Sequence, residues 1–302
     1  MIKRFTIVVL LMTVFFQSAQ AQQNLWRVPG KLPENVQMLP NLVYGQGGGR
    51  DLFLDLYLPK DGTPPYPVTI FIHGGGWKNG NKEMYRKHSY YLASRGIACV
   101  SISYRLSGEA KFPAAVHDSK CAVRWMRANS VKYNINPYKI AVAGGSAGGH
   151  LVGLVGTTGG IKEFEGSGGY GEFSSKPNLV ISFFGVFDFT RVADQNKYNN
   201  AAGVVAEFLG GTYDEIPETY KLASPITYVD RTDPPFLLFH STGDIVVPYE
   251  QSVEFKKVLD EAGVPAEISI TVGSKHGYVH SSPHYEATLA QMEEFINLYF
   301  NK

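Results

Sequence analysis

Gly144-Gly145-Ser146-Ala147-Gly148-Gly149 is the stretch around which the rest of the chain is arranged. Upstream, Lys139-Ile140-Ala141-Val142-Ala143 is a short apolar run that reads as a buried strand. Downstream, His150-Leu151-Val152-Gly153-Leu154-Val155 continues as a helix. A serine with glycine at minus two and plus two, between a strand and a helix, fits a nucleophile elbow. Such a turn crowds the serine backbone, and glycine on both sides removes the clash and lifts the hydroxyl clear. The helix begins under the serine, so the Ala147 amide is placed to donate to a developing oxyanion. The stretch lacks the Gly-Lys-Ser/Thr ending of a phosphate loop and the G-x-G-x-x-G spacing of a dinucleotide site.

Two more segments carry matching chemistry. Val68-Thr69-Ile70-Phe71-Ile72 reads as a buried strand, and His73-Gly74-Gly75-Gly76-Trp77 follows it. Consecutive glycines let backbone amides approach a substrate, so Gly75 and Gly76 are expected to complete an oxyanion hole with Ala147. The strand Phe236 to His240 leads into Ser241-Thr242-Gly243-Asp244, and the strand Glu267 to Val272 leads into Gly273-Ser274-Lys275-His276-Gly277-Tyr278. A serine hydroxyl is a weak nucleophile until an imidazole takes its proton, and the imidazole needs a carboxylate to set its tautomer. The order Ser146, Asp244, His276 is that of nucleophile, acid and base in α/β-hydrolases. Asp188 reads as a loop residue and Asp118 as a structural carboxylate beside a helix. His150 reads as packing under the elbow helix, and His280 and His284 as solvated.

The wider pattern agrees. Apolar strands alternate with helices at Asn81 to Ser94, Ala114 to Ser130, Tyr249 to Ala262 and Tyr285 to Phe300. This predicts a mostly parallel sheet covered on both faces, with ligands at the carboxyl ends of the strands. Gln22 to Gly49, with Pro29, Pro33, Pro40 and three consecutive glycines, reads as loop, and the period-two run Leu52 to Leu58 as the first strand. Thr157 to Ser175 and Phe189 to Tyr220 read as loops over the site.

The chain resembles the hormone-sensitive-lipase-like branch of the α/β-hydrolases, and within it the bacterial feruloyl and acetyl esterase group. The residues that carry the resemblance are His73 to Trp77, Ser103-Tyr104-Arg105-Leu106, Phe112 to Asp118, Gly144 to Leu151, Ser224 to Val229, Asp233 to Phe236, Asp244 to Pro248 and His276-Gly277. The resemblance implies an α/β-hydrolase fold with small cap loops and a serine carboxylic-ester hydrolase without cofactor or metal. It implies Trp77 and Tyr278 as substrate contacts. A small ester or an acylated polysaccharide is the implied substrate; acetyl and feruloyl groups stay open, and no oligomeric state is implied. Ser241-Thr242 departs from the Gly-Asp common in the family, and Tyr278 from the commoner Phe.

Lys3-Arg4, an apolar run from Phe5 to Phe16 and Ala19-Gln20-Ala21 read as a signal peptide cut after Ala21. The run is short for a membrane span, which takes about 20 residues. The expectation is a leader over 1–21, one hydrolase domain over 22–302, and a secreted or periplasmic protein with no stable membrane anchor. The 302 residues are 44% hydrophobic and 18% charged, enough for a core. With 28 basic and 27 acidic residues and no charge run, nothing suggests a nucleic-acid partner. Cys99 and Cys121 read as buried thiols, with one bridge as the alternative. Two rival readings remain beside the esterase: an amidase or exopeptidase using the same three residues, and a binding module that has kept only the fold.

Overall fold

Eight strands form a single sheet in the order β1-β2-β4-β3-β5-β6-β7-β8. They are β1 Val36–Gly47, β2 Arg50–Pro59, β3 Tyr66–Ile72, β4 Ala98–Ile102, β5 Ile135–Gly145, β6 Leu179–Phe183, β7 Phe236–Ser241 and β8 Ala266–Thr271. The first two are antiparallel to their neighbours, and β3 to β8 run parallel. This computed structural model describes residues 31–194 and 201–301. The predicted signal peptide, Met1 to Ala21, lies outside the described residues. Glu34–Lys302 is one compact unit.

Alternation along the strands explains the layers. Val68, Ile70 and Ile72 of β3, Ile140 and Val142 of β5, and Phe236 and Leu238 of β7 join one apolar core. That core also takes the buried faces of α2 (Ala114–Ala128), α3 (Ala147–Thr157) and α7 (Glu250–Glu261). The intervening Phe71 turns the other way and meets Tyr85 and His88 at 4.9 and 5.9 Å between ring centres. His88 belongs to α1 (Arg86–Ala93), which packs on α8 (His284–Phe300) through His88 with Tyr285 and the Tyr91 Oη–Glu293 Oε2 hydrogen bond of 3.0 Å. Strands apolar on both faces therefore read as continuous runs, as a covered parallel sheet requires. Among the described residues no helix is long and apolar enough to cross a membrane.

Three expectations need correction. Residues 36–47 are not loop but an edge strand. Pro40 hid it, because proline cannot donate to a ladder and is confined to edges and bulges. The pairing is irregular between Leu39 and Leu42, where Asn41 has φ +56° and its amide donates to the buried Asp55 carboxylate at 2.9 Å. Among its described residues, Phe189 to Tyr220 carries three short helices in place of loops: α4 Phe189–Asp194, α5 Ala201–Leu209 and α6 Pro217–Leu222. Val205, Phe208 and Leu209 of α5 are buried, the helical spacing of an apolar face. Thr157 to Ser175 is held against the flank of α2. Lys120 Nζ donates to Thr158 O (2.6 Å) and Glu165 Oε1 (2.9 Å), and Arg124 Nη1 reaches Glu165 Oε2 (2.9 Å). Cys99 and Cys121 are both free and buried.

Candidate active site

Ser146 sits between the end of β5 and the start of α3 with φ +55° and ψ −119°, a strained conformation for a residue with a side chain. Its amide donates to Phe183 O at 2.9 Å, which ties the turn to β6. The neighbouring glycines are there for space. A Cβ on Gly144 would lie 2.6 Å from Gly148 O, and one on Gly148 would lie 2.1 Å from Ile72 O. Ala147 is the first residue of α3, so its amide has no acceptor within the helix.

The glycine turn after β3 lies alongside. A Cβ on Gly74 would be 3.5 Å from Ser146 Cβ and 2.7 Å from Gly145 O. Gly75 and Gly76 both have positive φ, and Gly75 O accepts from the amides of Lys78 and Asn79 at 3.2 and 3.0 Å. Val204 of α5 closes over Gly76, where an added Cβ would lie 2.9 Å from Val204 Cγ1. Beneath the turn, the Tyr104 hydroxyl donates to His73 O at 3.0 Å and its ring stacks on His73 at 4.2 Å. His73 is buried, its Nδ1 proton going to Gly74 O at 2.8 Å, and burial pulls its pKa down to about 4.

Asp244 follows β7 and His276 follows β8, and the two are joined. His276 Nδ1 donates to Asp244 Oδ2 at 2.6 Å, and Asp244 Oδ1 accepts the amides of Val246 and Val247, both at 2.9 Å. Burial works to raise the Asp244 carboxyl. The nearby His240 ring, 3.6 Å away, the hydrogen bond and charge of His276 and the Val247 amide outweigh it and hold the group well below the usual carboxylate range. His240 is clamped between Val247 O (2.9 Å) and Ser252 Oγ (2.7 Å). Ser241 Oγ donates to Ser274 O at 2.7 Å and Gly273 N donates to Thr242 Oγ1 at 3.0 Å. The departure at Ser241-Thr242 thus laces the acid loop to the base loop.

Phe184 links this pair to the serine turn. Its ring is 4.6 Å from that of His276, and its edge is 3.1 Å from a Cβ built on Gly145. Its φ of +40° aims the ring there. The sequence alone leaves Phe184 readable as a pocket wall or, at least as well, as ordinary core. Two expected substrate contacts are placed elsewhere. Trp77 is 4% exposed, stacks on Phe208 at 4.6 Å and donates from Nε1 to His150 Nδ1 at 3.2 Å, so it is core. Tyr278 is 6% exposed and its hydroxyl donates to His240 O at 3.2 Å, so its polar end is spent on β7.

The remaining residues have structural partners. His150 is buried, bonded to Ala223 O at 2.8 Å. Asp118 holds Arg105 through the backbone amide at 2.9 Å and the guanidinium at 2.6 Å. Asp188 Oδ1 accepts from the amide and hydroxyl of Thr190 at 2.9 and 2.6 Å, and Asp233 accepts from the Asp230 amide at 3.0 Å. His280 is exposed, as expected, but His284 is half-buried and bonded to Ser274 Oγ at 2.9 Å. Among the described residues no group of three or more His, Cys, Asp or Glu is placed to hold a metal ion.

The parallel sheet, the strained serine turn and the hydrogen-bonded acid and histidine loops at neighbouring strand ends define an α/β-hydrolase of the hormone-sensitive-lipase-like branch. Within that class the chain belongs to the BD-FAE family, which residues 54–259 match. Esterase LipC of Mycobacterium tuberculosis is 36% identical over 217 residues, covering 71% of this chain and 53% of LipC. The chain thus spans little more than half the length of the curated relatives it matches first. A solved structure of a truncated carbohydrate esterase from gut microbiota is 32% identical with a TM-score of 0.78, covering 88% of this chain and 97% of that one. Thermogutta terrifontis esterase 2, solved phosphorylated by paraoxon, is 28% identical with a TM-score of 0.72, covering 90% and 96%.

Proposed function

We propose that the protein is an exported serine carboxylic-ester hydrolase that removes short acyl groups, acetyl or feruloyl, from plant-type polysaccharides. The observation that carries the reading is the 2.6 Å bond from His276 Nδ1 to Asp244, in a site whose serine turn is strained. With its Nδ1 proton held by Asp244, His276 presents Nε2 as a base to the Ser146 hydroxyl. Ser146 Oγ attacks the ester carbonyl, and the proton passes to His276. Negative charge gathers on the carbonyl oxygen and is met by the amides of Ala147, Gly75 and Gly76. Collapse breaks the bond to the alcohol, which leaves with the proton from His276. Water, activated by the same imidazole, then releases the acid and frees Ser146.

Two features support the substrate class. One structural neighbour, 32% identical with a TM-score of 0.78, is described as a carbohydrate esterase. Among the described residues the stretch after β6 carries only short helices of 6, 9 and 6 residues, α4 to α6, which offer little surface for a long acyl chain. Each buried methylene would contribute about 0.8 kcal/mol, so a long chain without such a surface gains little. The Lys3-Arg4 leader and Ala19-Gln20-Ala21 support export.

The test is a panel of p-nitrophenyl esters from acetyl to palmitoyl, with acetylated xylan, methyl ferulate and aminoacyl anilides. Highest kcat/KM is expected on the short esters, with acetate or ferulate released. A kcat/KM that climbs toward palmitoyl, or anilides cleaved faster than esters, would overturn the proposal.

A further inference from the structure

A cavity of about 250 Å³ opens between the β1–β2 turn (Gln46 to Gly49), Arg105, His117 and Ser167-Gly168. None of the residues that line it carries a large apolar side chain. Its volume falls just below the roughly 300–1,000 Å³ of ordinary ligand pockets, the size for a single ring. Its floor is built rather than incidental. Arg105 is held by Asp118 through Nε and Nη2, and Nη2 also donates to Ala114 O at 3.2 Å. Among the described residues its bonds come from Nε, Nη2 and the backbone amide, which leaves Nη1 uncommitted on a side chain that lines the cavity. His117 donates from Nε2 to Glu163 O at 2.9 Å, so its Nδ1 is an acceptor. The Ser167 hydroxyl and the backbone of Gly47 to Gly49 add more donors and acceptors. A Cβ on Gly47 would lie 2.6 Å from Arg105 Nε, so the turn rests directly on the guanidinium.

The charge is balanced. Arg105 is neutralised by Asp118 at 2.6 Å, and Arg50 beside the turn by Glu109 at 2.7 Å. A ligand suited to such a wall is neutral, small and rich in hydroxyls that both donate and accept. The cavity also opens at the same end of the sheet as Ser146. Leu54, Ile102, Ile72 and Gly144 form one row across β2, β4, β3 and β5. Arg105 lies just past that row, as Ser146 does on β5. Three interstrand spacings of about 4.8 Å put β2 about 14 Å from β5, farther than one sugar ring spans.

We infer that this cavity is a second carbohydrate subsite, holding one neutral sugar ring of the polymer whose acyl ester lies at Ser146. The inference rests on the acylated polysaccharide as substrate. It predicts that chain length matters to this enzyme at a distance from the bond it breaks.

The experiment fills the cavity with Ser167→Trp and, separately, removes the acceptor with His117→Ala, in the full chain. Kinetics are followed on acetylated xylohexaose, acetylated xylobiose and p-nitrophenyl acetate. Both variants are expected to raise KM for the hexaose at least tenfold, leaving the bare ester within twofold. Acetylated xylobiose is expected to be unaffected. Titration of xylohexaose into the Ser146→Ala protein should show binding that Ser167→Trp abolishes. Unchanged hexaose kinetics and binding in both variants would overturn the subsite while leaving the esterase reading intact. A parent enzyme that cleaves p-nitrophenyl acetate but releases no acetate from either oligosaccharide would overturn the substrate class and the subsite with it.

Discussion

Asp244 and Glu165 are both carboxylates with each oxygen engaged, yet they sit in regions with opposite tasks. Asp244 lies at the strand ends and bonds His276, whose side chain is 21% exposed and whose charge can change. Glu165 lies against the flank of α2 and bridges the Lys120 ammonium and the Arg124 guanidinium, whose side chains are 0% and 2% exposed. Burial raises the Glu165 carboxyl, but its bonds to Lys120 and Ser175 and the charge of Arg124 prevail and lower it, as His276 and His240 do for Asp244. Electrostatics alone therefore does not separate a reacting carboxylate from a structural one. What separates them is whether the partner can exchange a proton and whether it faces an opening.

The sharpest break lies outside both clusters. Ser146→Ala should lower kcat by roughly 10⁴-fold or more with the unfolding midpoint unchanged, because the bond that ties the turn to β6 comes from the backbone amide of Ser146, which alanine keeps. A variant that kept a tenth of the activity would remove Ser146 as nucleophile. Next, Asp244→Asn should lower kcat by on the order of 10³–10⁴-fold, since the amide no longer holds the imidazole in the required tautomer. Asp188→Asn and Asp233→Asn, whose oxygens serve local turns, should fall within a fewfold of the parent. Equal losses at Asp188 would reassign the acid.

Glu165→Ala is the mirror image. Removing it strands Lys120 and Arg124 in the interior, which costs about 3–5 kcal/mol when a buried pair is broken. Urea unfolding should show that loss while kcat/KM on p-nitrophenyl acetate, measured where the variant is folded, stays within twofold. A large activity loss without a stability loss would erase the contrast drawn above.

The smallest effect, per group, concerns acid. Both carboxylates stay ionised well below neutral pH, so the first loss of stability on acidification should come from buried histidines. Burial lowers His73 to about 4 and His150 to about 3, against weaker pulls from the Gly74 and Ala223 carbonyls, and it lowers His88 well below its ordinary value. Unfolded histidine takes a proton near pH 6.5, so between there and the folded values the unfolded chain binds more protons and stability falls as pH falls. The slope is about 1.4 kcal/mol per pH unit for each such group. The contribution of Asp244 has the same sign in a lower window: it is present above about pH 3.9 and is lost only below that. Unfolding free energies measured at pH 7, 6, 5 and 4 should decline across the whole series. A curve flat to pH 4 would contradict the buried neutral histidines.

Much of this was legible in residue order, because it depends on local chemistry. The glycines around Ser146 announce a turn that no Cβ could enter, and the structure places Gly148 against Ile72 O for that reason. Apolar runs of strand length announce the parallel strands, since a strand buried on both faces needs no alternation. The order of serine, aspartate and histidine anticipates an acid loop and a base loop that do meet. What residue order left undecided is whatever depends on which distant surface covers a side chain. Trp77 and Tyr278 are amphipathic, and only the packing of Phe208 and the backbone of β7 turned them inward. Phe184 could have been core anywhere, and its positive φ aims it at His276. The β1 edge strand escaped notice because its proline is tolerated only where a neighbour is missing on one side, a property of the assembled sheet and not of the segment.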